Sequence, residues 1–139
     1  MLPDILCNRG YEMKNCKNFR SISITLHAPA KVNLFLHVLG KRKDGYHDLR
    51  TLFERIDLCD TITISKIPAG IEVVSDRLIT KDPKDTLVYK AAEAALRAGN
   101  AAGGVRIAIR KRIPMAAGLG GGSSDAATTL VGVNRLYRL

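Results

Sequence analysis

Four glycines fall within the five positions Gly118-Leu119-Gly120-Gly121-Gly122, and Ser123-Ser124-Asp125-Ala126-Ala127 follows at once. No other stretch restricts the fold of this chain as much. Glycine, lacking Cβ, lets the backbone take positive φ and lets a ligand approach the main chain closely. The alanine-containing run behind it reads as a helix that starts near Ser123 or Ser124, with Ala127, Leu130 and Val131 along its buried face. A helix amino terminus presents unpaired N–H groups and the positive end of the backbone dipole, so loop and helix together suit an anion. Ser123 and Ser124 can cap that helix and donate to phosphate oxygens, with Arg110-Lys111-Arg112 just upstream. Neither familiar phosphate loop is present. Gly122 is followed by Ser123-Ser124 and not by the Lys-Ser/Thr of a Walker A loop, and Ser123 stands where the dinucleotide fingerprint needs glycine.

The surrounding order is strands first, then helix, strand, loop and helix. Ile22, Ile24 and Leu26 alternate with small or polar residues, and Leu34, Leu36 and Val38 resume the alternation after Pro29. Asp44-Gly45 marks a hairpin turn. The apolar stretch Leu49, Leu52, Phe53, Ile56, Leu58 has no clear period, whereas 61–67 alternates and is rich in β-branched residues. Pro68-Ala69-Gly70 links it to a short strand at 71–74. A helix is expected over 86–98, with Asp85 as N-cap, Gly99 just past its end, and Leu87, Lys90, Ala91, Ala94 and Ala95 at helical spacing. Val105, Ile107 and Ile109 form a last strand that Pro114 stops, and Lys111 on its own reads as a solvated strand end. This order predicts an α+β fold with a mixed sheet packed on helices.

A chain of 139 residues is the size of one domain and buries enough surface to need neither disulfides nor a structural metal. No apolar run approaches the ~20 residues of a transmembrane helix. Residues 1–19 contain no continuous apolar segment of the secretory kind, and Asp4 and Glu12 argue against a transit peptide. Residues 1–20 are expected to form an amino-terminal extension, disordered or, if Met13 is the true start, mis-assigned in part; residues 21–139 form the domain. Cys7, Cys16 and Cys59 are odd in number and scattered, and read as free thiols in a reducing, cytoplasmic setting. His27, His37 and His47 have no metal-ligand spacing, so no metal-ligating set is expected.

The formal net charge is +9, which favours anionic partners: nucleic acid, acidic lipid or phosphorylated metabolites. After Glu93 the only carboxylate side chain is Asp125, against Arg97, Arg106, Arg110, Lys111, Arg112, Arg135 and Arg138. This is either a solvated basic face or a field that draws polyanions to the segment between Arg112 and Arg135.

These blocks together resemble the GHMP kinase superfamily, whose loop has the form Pro-x-x-x-Gly-Leu-Gly-Ser-Ser. Ala28–His37, Gly40–Asp48, Leu52-Phe53 and Ile113–Ala127, with its third consecutive glycine, are similar to the branch acting on a cytidine-diphosphate-linked methylerythritol. The resemblance runs from about Ser23 to the end. It implies a GHMP kinase amino-terminal domain of the ribosomal protein S5 domain 2-like kind, with a left-handed βαβ arrangement. It also implies a cytoplasmic kinase that transfers phosphate from ATP, with Mg2+, to the 2-hydroxyl of that substrate in non-mevalonate isoprenoid synthesis. By the resemblance, Lys31 is the active-site lysine and Asn33 stands beside the methylerythritol end. Tyr46 and His47 recognise cytosine, one by stacking and one by hydrogen bonding. ATP falls to Pro114, Ala116, Gly118, Leu119, Gly120, Gly121, Gly122, Ser123 and Ser124, with Lys111 near the nucleotide. Thr86 and Leu87 stand at the adenine, Thr86 in place of the family's usual asparagine. Asp125 supports the helix start.

Family members are roughly twice this length, and the resemblance puts their catalytic aspartate in a Gly-Ala-Asp-Val-Pro-like segment that these residues do not contain. The expectation is therefore a kinase whose first 139 residues alone are inactive or nearly so. Two other readings stay open: a nucleotide-binding fragment without catalysis, and an RNA-binding module of ribosomal-protein-like fold. Against RNA, only Phe19, Phe35, Phe53 and four tyrosines are available for stacking.

Overall fold

A computed structural model describes residues 22–139. The expectations on the amino-terminal extension, the start at Met13, Cys7 and Cys16 lie outside the described residues.

Two long strands, β1 (Ser23–Lys41) and β2 (His47–Ile67), form an antiparallel hairpin closed at Gly45, where φ is +87°. The sequence suggests two short strands around Pro29, yet β1 runs through it. Proline is tolerated because β1 is an edge strand and the register shifts between Pro29 and Ala30. Further shifts fall between Asn33 and Phe35 and between Val38 and Gly40. The stretch 49–58, ambiguous in period, also belongs to β2; the register steps from Cys59 to Ile56 opposite Pro29-Ala30, leaving Asp57 and Leu58 of β2 itself out of the pairing, and the alternation breaks there.

β3 (Ile71–Ser75), helix α1 (Leu87–Ala98) and β4 (Gly104–Arg110) form a βαβ unit whose strands pair in parallel. β4 also pairs antiparallel with Thr61–Ile67 of β2, so the sheet is mixed, in the order β1-β2-β4-β3. Helix α2 (Gly121–Tyr137) packs beside α1 and onto β1 and β2. The core lies between sheet and helices: Ala28, Ile62, Ile64, Val105, Ile107 and Ile109 meet Val88, Ala92, Val133 and Leu136. Gly132 permits the close approach, since a Cβ there would stand 2.4 Å from Ile64 Cδ1. Among the described residues no helix is long and apolar enough to cross a membrane.

Both helices differ from expectation by a residue or more. Pro83 opens a 3₁₀ turn, Pro83–Asp85, that Asp82 caps. Asp85 is thereby taken into that turn, and Thr86 caps α1 by accepting from the Tyr89 amide at 3.1 Å. The buried stripe turns with it to Val88, Ala91 and Ala92, leaving Leu87, Lys90 and Ala94 exposed. Helix α2 starts at Gly121, earlier than Ser123, because Gly120 at φ +72° supplies a left-handed turn. Ser123 and Ser124 therefore lie in its first turn and make no side-chain cap. Its inward face is Asp125, Thr129, Gly132, Val133 and Leu136; Ala127, Leu130 and Val131 point outward. Hydrophobicity alone misleads here, because the inward positions carry small and charged residues.

Candidate functional site

The loop from Pro114 to Gly120 turns on three positive-φ residues, Ala116, Gly118 and Gly120. It is tied to the sheet by the Lys31 amide, which donates to the Leu119 carbonyl at 3.0 Å. The first hydrogen bond of α2 is Ser124 N–H to Gly120 O, 3.0 Å. The amides of Gly121, Gly122 and Ser123 therefore precede the helical ladder and, among the described residues, remain free to meet an anion. A pocket of about 340 Å³ opens over them, lined by the whole run from Pro114 to Ser123 together with Ile79, Leu87, Lys111 and Asp125. Ile79 also borders a smaller pocket of about 260 Å³ of mixed lining, with Val73, Leu78 and Pro83 beside Asp76, Arg77 and Thr86.

Beneath this pocket lies a buried charge cluster. Strand alternation turns Asp60 inward with Ile62 and Ile64, and Lys111 inward with Ile107 and Ile109, while Asp125 opens the inward stripe of α2. Asp60, Lys111 and Asp125 are 0%, 6% and 2% exposed. The Lys111 ammonium donates to Asp125 Oδ2 at 2.7 Å and to Asp60 Oδ2. Asp60 Oδ1 accepts from the Arg112 and Ile113 amides at 2.6 and 2.9 Å, and the Lys111 amide donates to Asp76 Oδ1 at 2.9 Å. Lys111 is thus no solvated strand end. The alternation Val105, Ile107, Ile109 continues through it, and two carboxylates offset the desolvation of its charge.

The cluster's titration follows from these contacts. Burial opposes ionisation of Asp60, but hydrogen bonds from Lys111, Ile113 and Arg112 outweigh it and hold the carboxyl below its ordinary value. Burial likewise opposes the charge of Lys111, but Asp125 and Asp60 outweigh it and raise its pKa. For Asp125 burial wins: its pKa is pushed up to about 6, with Lys111 pulling down and the like charge of Asp60 adding to the rise.

Lys31 and Asn33 stand on β1 beside the loop. Lys31 Nζ donates to Asn33 Oδ1 at 2.6 Å, Asn33 Nδ2 to Thr51 Oγ1 at 2.7 Å, and Thr51 Oγ1 to the Phe35 carbonyl at 2.7 Å. The aliphatic part of Lys31 packs on Gly120, where a Cβ would meet its Cγ at 3.2 Å.

The expected site residues therefore fall into four places. Leu87, Lys111, Pro114, Ala116 and Gly118 to Ser123 share one pocket, with Lys31 and Asn33 at its edge. Thr86 lies in the adjoining pocket, its hydroxyl already engaged with Pro83 O and the Tyr89 amide. Ser124 lines a different groove, with Leu26, His27 and Arg55. Tyr46 and His47 stand at the closed end of the hairpin, where His47 pairs with Lys41. A straight strand from Lys31 to Lys41 would cover roughly 30 Å, and the register shifts at Asn33/Phe35 and Val38/Gly40 bend β1 within that span, so the through-space separation is shorter. Sequence reasoning missed Asp60, Asp76 and Thr51. Asp60 was accessible to it, because the alternation of Ile62 and Ile64 extends back to a carboxylate.

A family model described as "GHMP kinases N terminal domain" matches residues 86–139. The chain is 53% identical over 118 residues to a protein of Geobacter metallireducens and 46% identical over 117 residues to one of Polynucleobacter necessarius. Both are named 4-diphosphocytidyl-2-C-methyl-D-erythritol kinase; each match takes in 84% of this chain but only 42% and 40% of the relative. A crystal structure of 4-(cytidine 5'-diphospho)-2C-methyl-D-erythritol kinase superposes with a TM-score of 0.72 at 44% identity, covering 82% of this chain and 41% of that one. The Methanococcus jannaschii mevalonate kinase, 21% identical over 85% of this chain and 41% of its own, shares the fold at a TM-score of 0.62. Mixed sheet, glycine loop and free-amide helix start agree with these matches, and the chain carries a GHMP kinase amino-terminal domain.

Proposed function

We propose that the intact protein transfers the terminal phosphoryl group of ATP to the 2-hydroxyl of 4-diphosphocytidyl-2-C-methyl-D-erythritol. The observation that carries this reading is the row of helix-start amides at Gly121, Gly122 and Ser123 opening on a pocket walled by glycine backbone. Phosphates would lie on those amides. Adenine would lie against Leu87 and Ile79, toward the adjoining pocket that Ile79 also borders.

Phosphoryl transfer depends mostly on positioning and charge neutralisation. Lys31, packed on Gly120 and bonded to Asn33, is the residue that would bring the acceptor hydroxyl to the terminal phosphate and offset its charge. Asn33, held by Thr51, would orient the methylerythritol end. Tyr46 would stack on cytosine, and His47 would bond its edge. Among the described residues no group of three His, Cys, Asp or Glu side chains could hold a metal. The donor set at the loop instead suits a metal that arrives on the nucleotide. Mg2+ would be held by triphosphate oxygens and the Ser123 hydroxyl and would supply charge neutralisation there.

Asp60 has both carboxylate oxygens hydrogen-bonded, and Asp125 is buried with Oδ2 on Lys111, out of reach of an acceptor hydroxyl held beside Lys31, so neither is offered as a general base. The 139 residues are proposed to bind nucleotide but to turn over little alone, since lacking a base costs about 10²–10⁴ in rate. The test is ADP release by the intact protein with and without the cytidine substrate. Release that needs the substrate is expected; release indifferent to it overturns the substrate assignment. Calorimetry of the chain with Mg-ATP tests the pocket, and no binding overturns that part of the reading.

A further inference from the structure

Asp125 has two carboxylate oxygens in unlike circumstances. Oδ2 accepts from Lys111 at 2.7 Å, whereas Oδ1 is buried with no hydrogen-bond partner among the described residues. Asp60, by contrast, has partners on both oxygens. Asp125 also lines the glycine-loop pocket, so the orphan oxygen belongs to a residue in the wall of the proposed phosphate site. A buried carboxylate oxygen without a donor is costly while charged.

The charges around it do not cancel. Asp60 reaches it from β2 and Lys111 from the end of β4, giving two carboxylates to one ammonium and a net charge of −1. On the β1 side the charged group at the loop is Lys31, which packs on Gly120 and bonds Asn33. From α1 and the segment before it, Leu87 and Ile79 are the pocket residues, both apolar. Asp76 is occupied by the Lys111 amide. A polyphosphate on the α2 amides would add like charge beside this residual −1, in a setting where burial limits screening. Among the described residues, the buried oxygen left without a partner to relieve that repulsion by binding a proton is Asp125 Oδ1.

We propose that Asp125 is a positioning residue of the phosphate site that takes up one proton from solvent on Oδ1 when a polyphosphate settles on the α2 amides, leaving the Asp60–Lys111–Asp125 cluster neutral beneath the bound anion. This rests on the reading of the pocket as a phosphate site. The upward displacement of the Asp125 pKa to about 6 agrees with it, because the proton is then within reach near neutral pH. The uptake adds no bond to the ligand; it removes a repulsion and keeps α2 fixed to β2 through Lys111.

The experiment is calorimetric titration of the full chain with Mg-ATP between pH 5.5 and 8, in buffers of different ionisation enthalpy, for wild type and Asp125→Asn. Wild type should take up a fraction of a proton near pH 7, and its affinity should fall with rising pH by up to about tenfold per unit. Asp125→Asn, which resembles the protonated carboxyl, should bind as tightly as wild type at acid pH without that fall. Protonation of the nucleotide itself is common to both proteins and drops out of the comparison. Identical pH profiles for the two proteins overturn the proposal while leaving the phosphate site standing. No Mg-ATP binding by wild type at any pH overturns both. If Asp125→Asn does not fold, the carboxyl carbon of Asp125 in wild type gives the answer by NMR. Its midpoint should rise when Mg-ATP is added, and an unmoved midpoint refutes the uptake.

Discussion

The glycine loop and the closed end of the β1–β2 hairpin hold the two groups of candidate site residues in opposite ways. At the loop, Lys111 is clamped between Asp60 and Asp125, the Leu119 carbonyl is bonded to β1, and Gly120 is covered by Lys31. At the hairpin end, β4 no longer pairs with β2, whose partner residues stop at Thr61, and Phe35, Leu36, Leu49, Leu52 and Phe53 are exposed. Tyr46 is 74% exposed, and its neighbourhood is organised by local contacts such as Arg42 to Asp44 at 2.8 Å. The proposed phosphate end is therefore built into the core, whereas the proposed base-recognition end rests on a two-stranded ribbon. Substitutions in the buried Asp60–Lys111–Asp125 cluster of the first should change stability and binding together; those at the second should change recognition alone.

The largest effect is expected at Lys111. Lys111→Met strands two buried carboxylates and should lower stability by about 3–5 kcal/mol, read from urea unfolding at pH 7. A loss under 1 kcal/mol would mean that the loop end is less tightly built than the ribbon comparison requires. Next is Lys31→Met in the intact protein, which should reduce kcat by about 10²–10³ with a much smaller change in stability. An equal loss in both quantities would make Lys31 part of the scaffold and weaken its proposed role.

A third test uses pH. Between the ordinary carboxylate value and about 6, folded Asp125 holds a proton that the unfolded chain has released, so stability should fall as pH rises through that window. Asp60 and Lys111 act in the other sense: Asp60, held low, contributes stability that is lost in acid, and Lys111, held high, contributes stability that is lost only in strong base. Urea midpoints from pH 4 to 7 should show the decline, on the order of 1–3 kcal/mol, and Asp125→Asn should flatten it. The smallest effect is expected at the ribbon. Tyr46→Ala should change stability by no more than about 0.5 kcal/mol, while raising KM for the cytidine substrate and leaving KM for ATP alone. A marked loss of stability there would erase the contrast between the two ends.

Local chemistry written in the chain determined a good deal. Asp44-Gly45 specified the hairpin turn because a tight reversal needs positive φ, and the glycines after Pro114 specified a loop that only backbone can line. The alternations of Val105, Ile107 and Ile109 and of Ile62 and Ile64 specified which sides of β4 and β2 face the core. Tertiary structure decided what depends on partners distant along the chain. That β4 inserts between β2 and β3 follows from pairing across long separations, which no local pattern encodes. The same holds for Lys111: a lysine after a strand reads as a solvated end until Asp60, 51 residues earlier, and Asp125, 14 later, are brought to it. The face of α2 was misread for a related reason. Close packing of Gly132 on Ile64 and burial of Asp125 set its rotation, while Leu130 and Val131, the obvious apolar residues, were left outside.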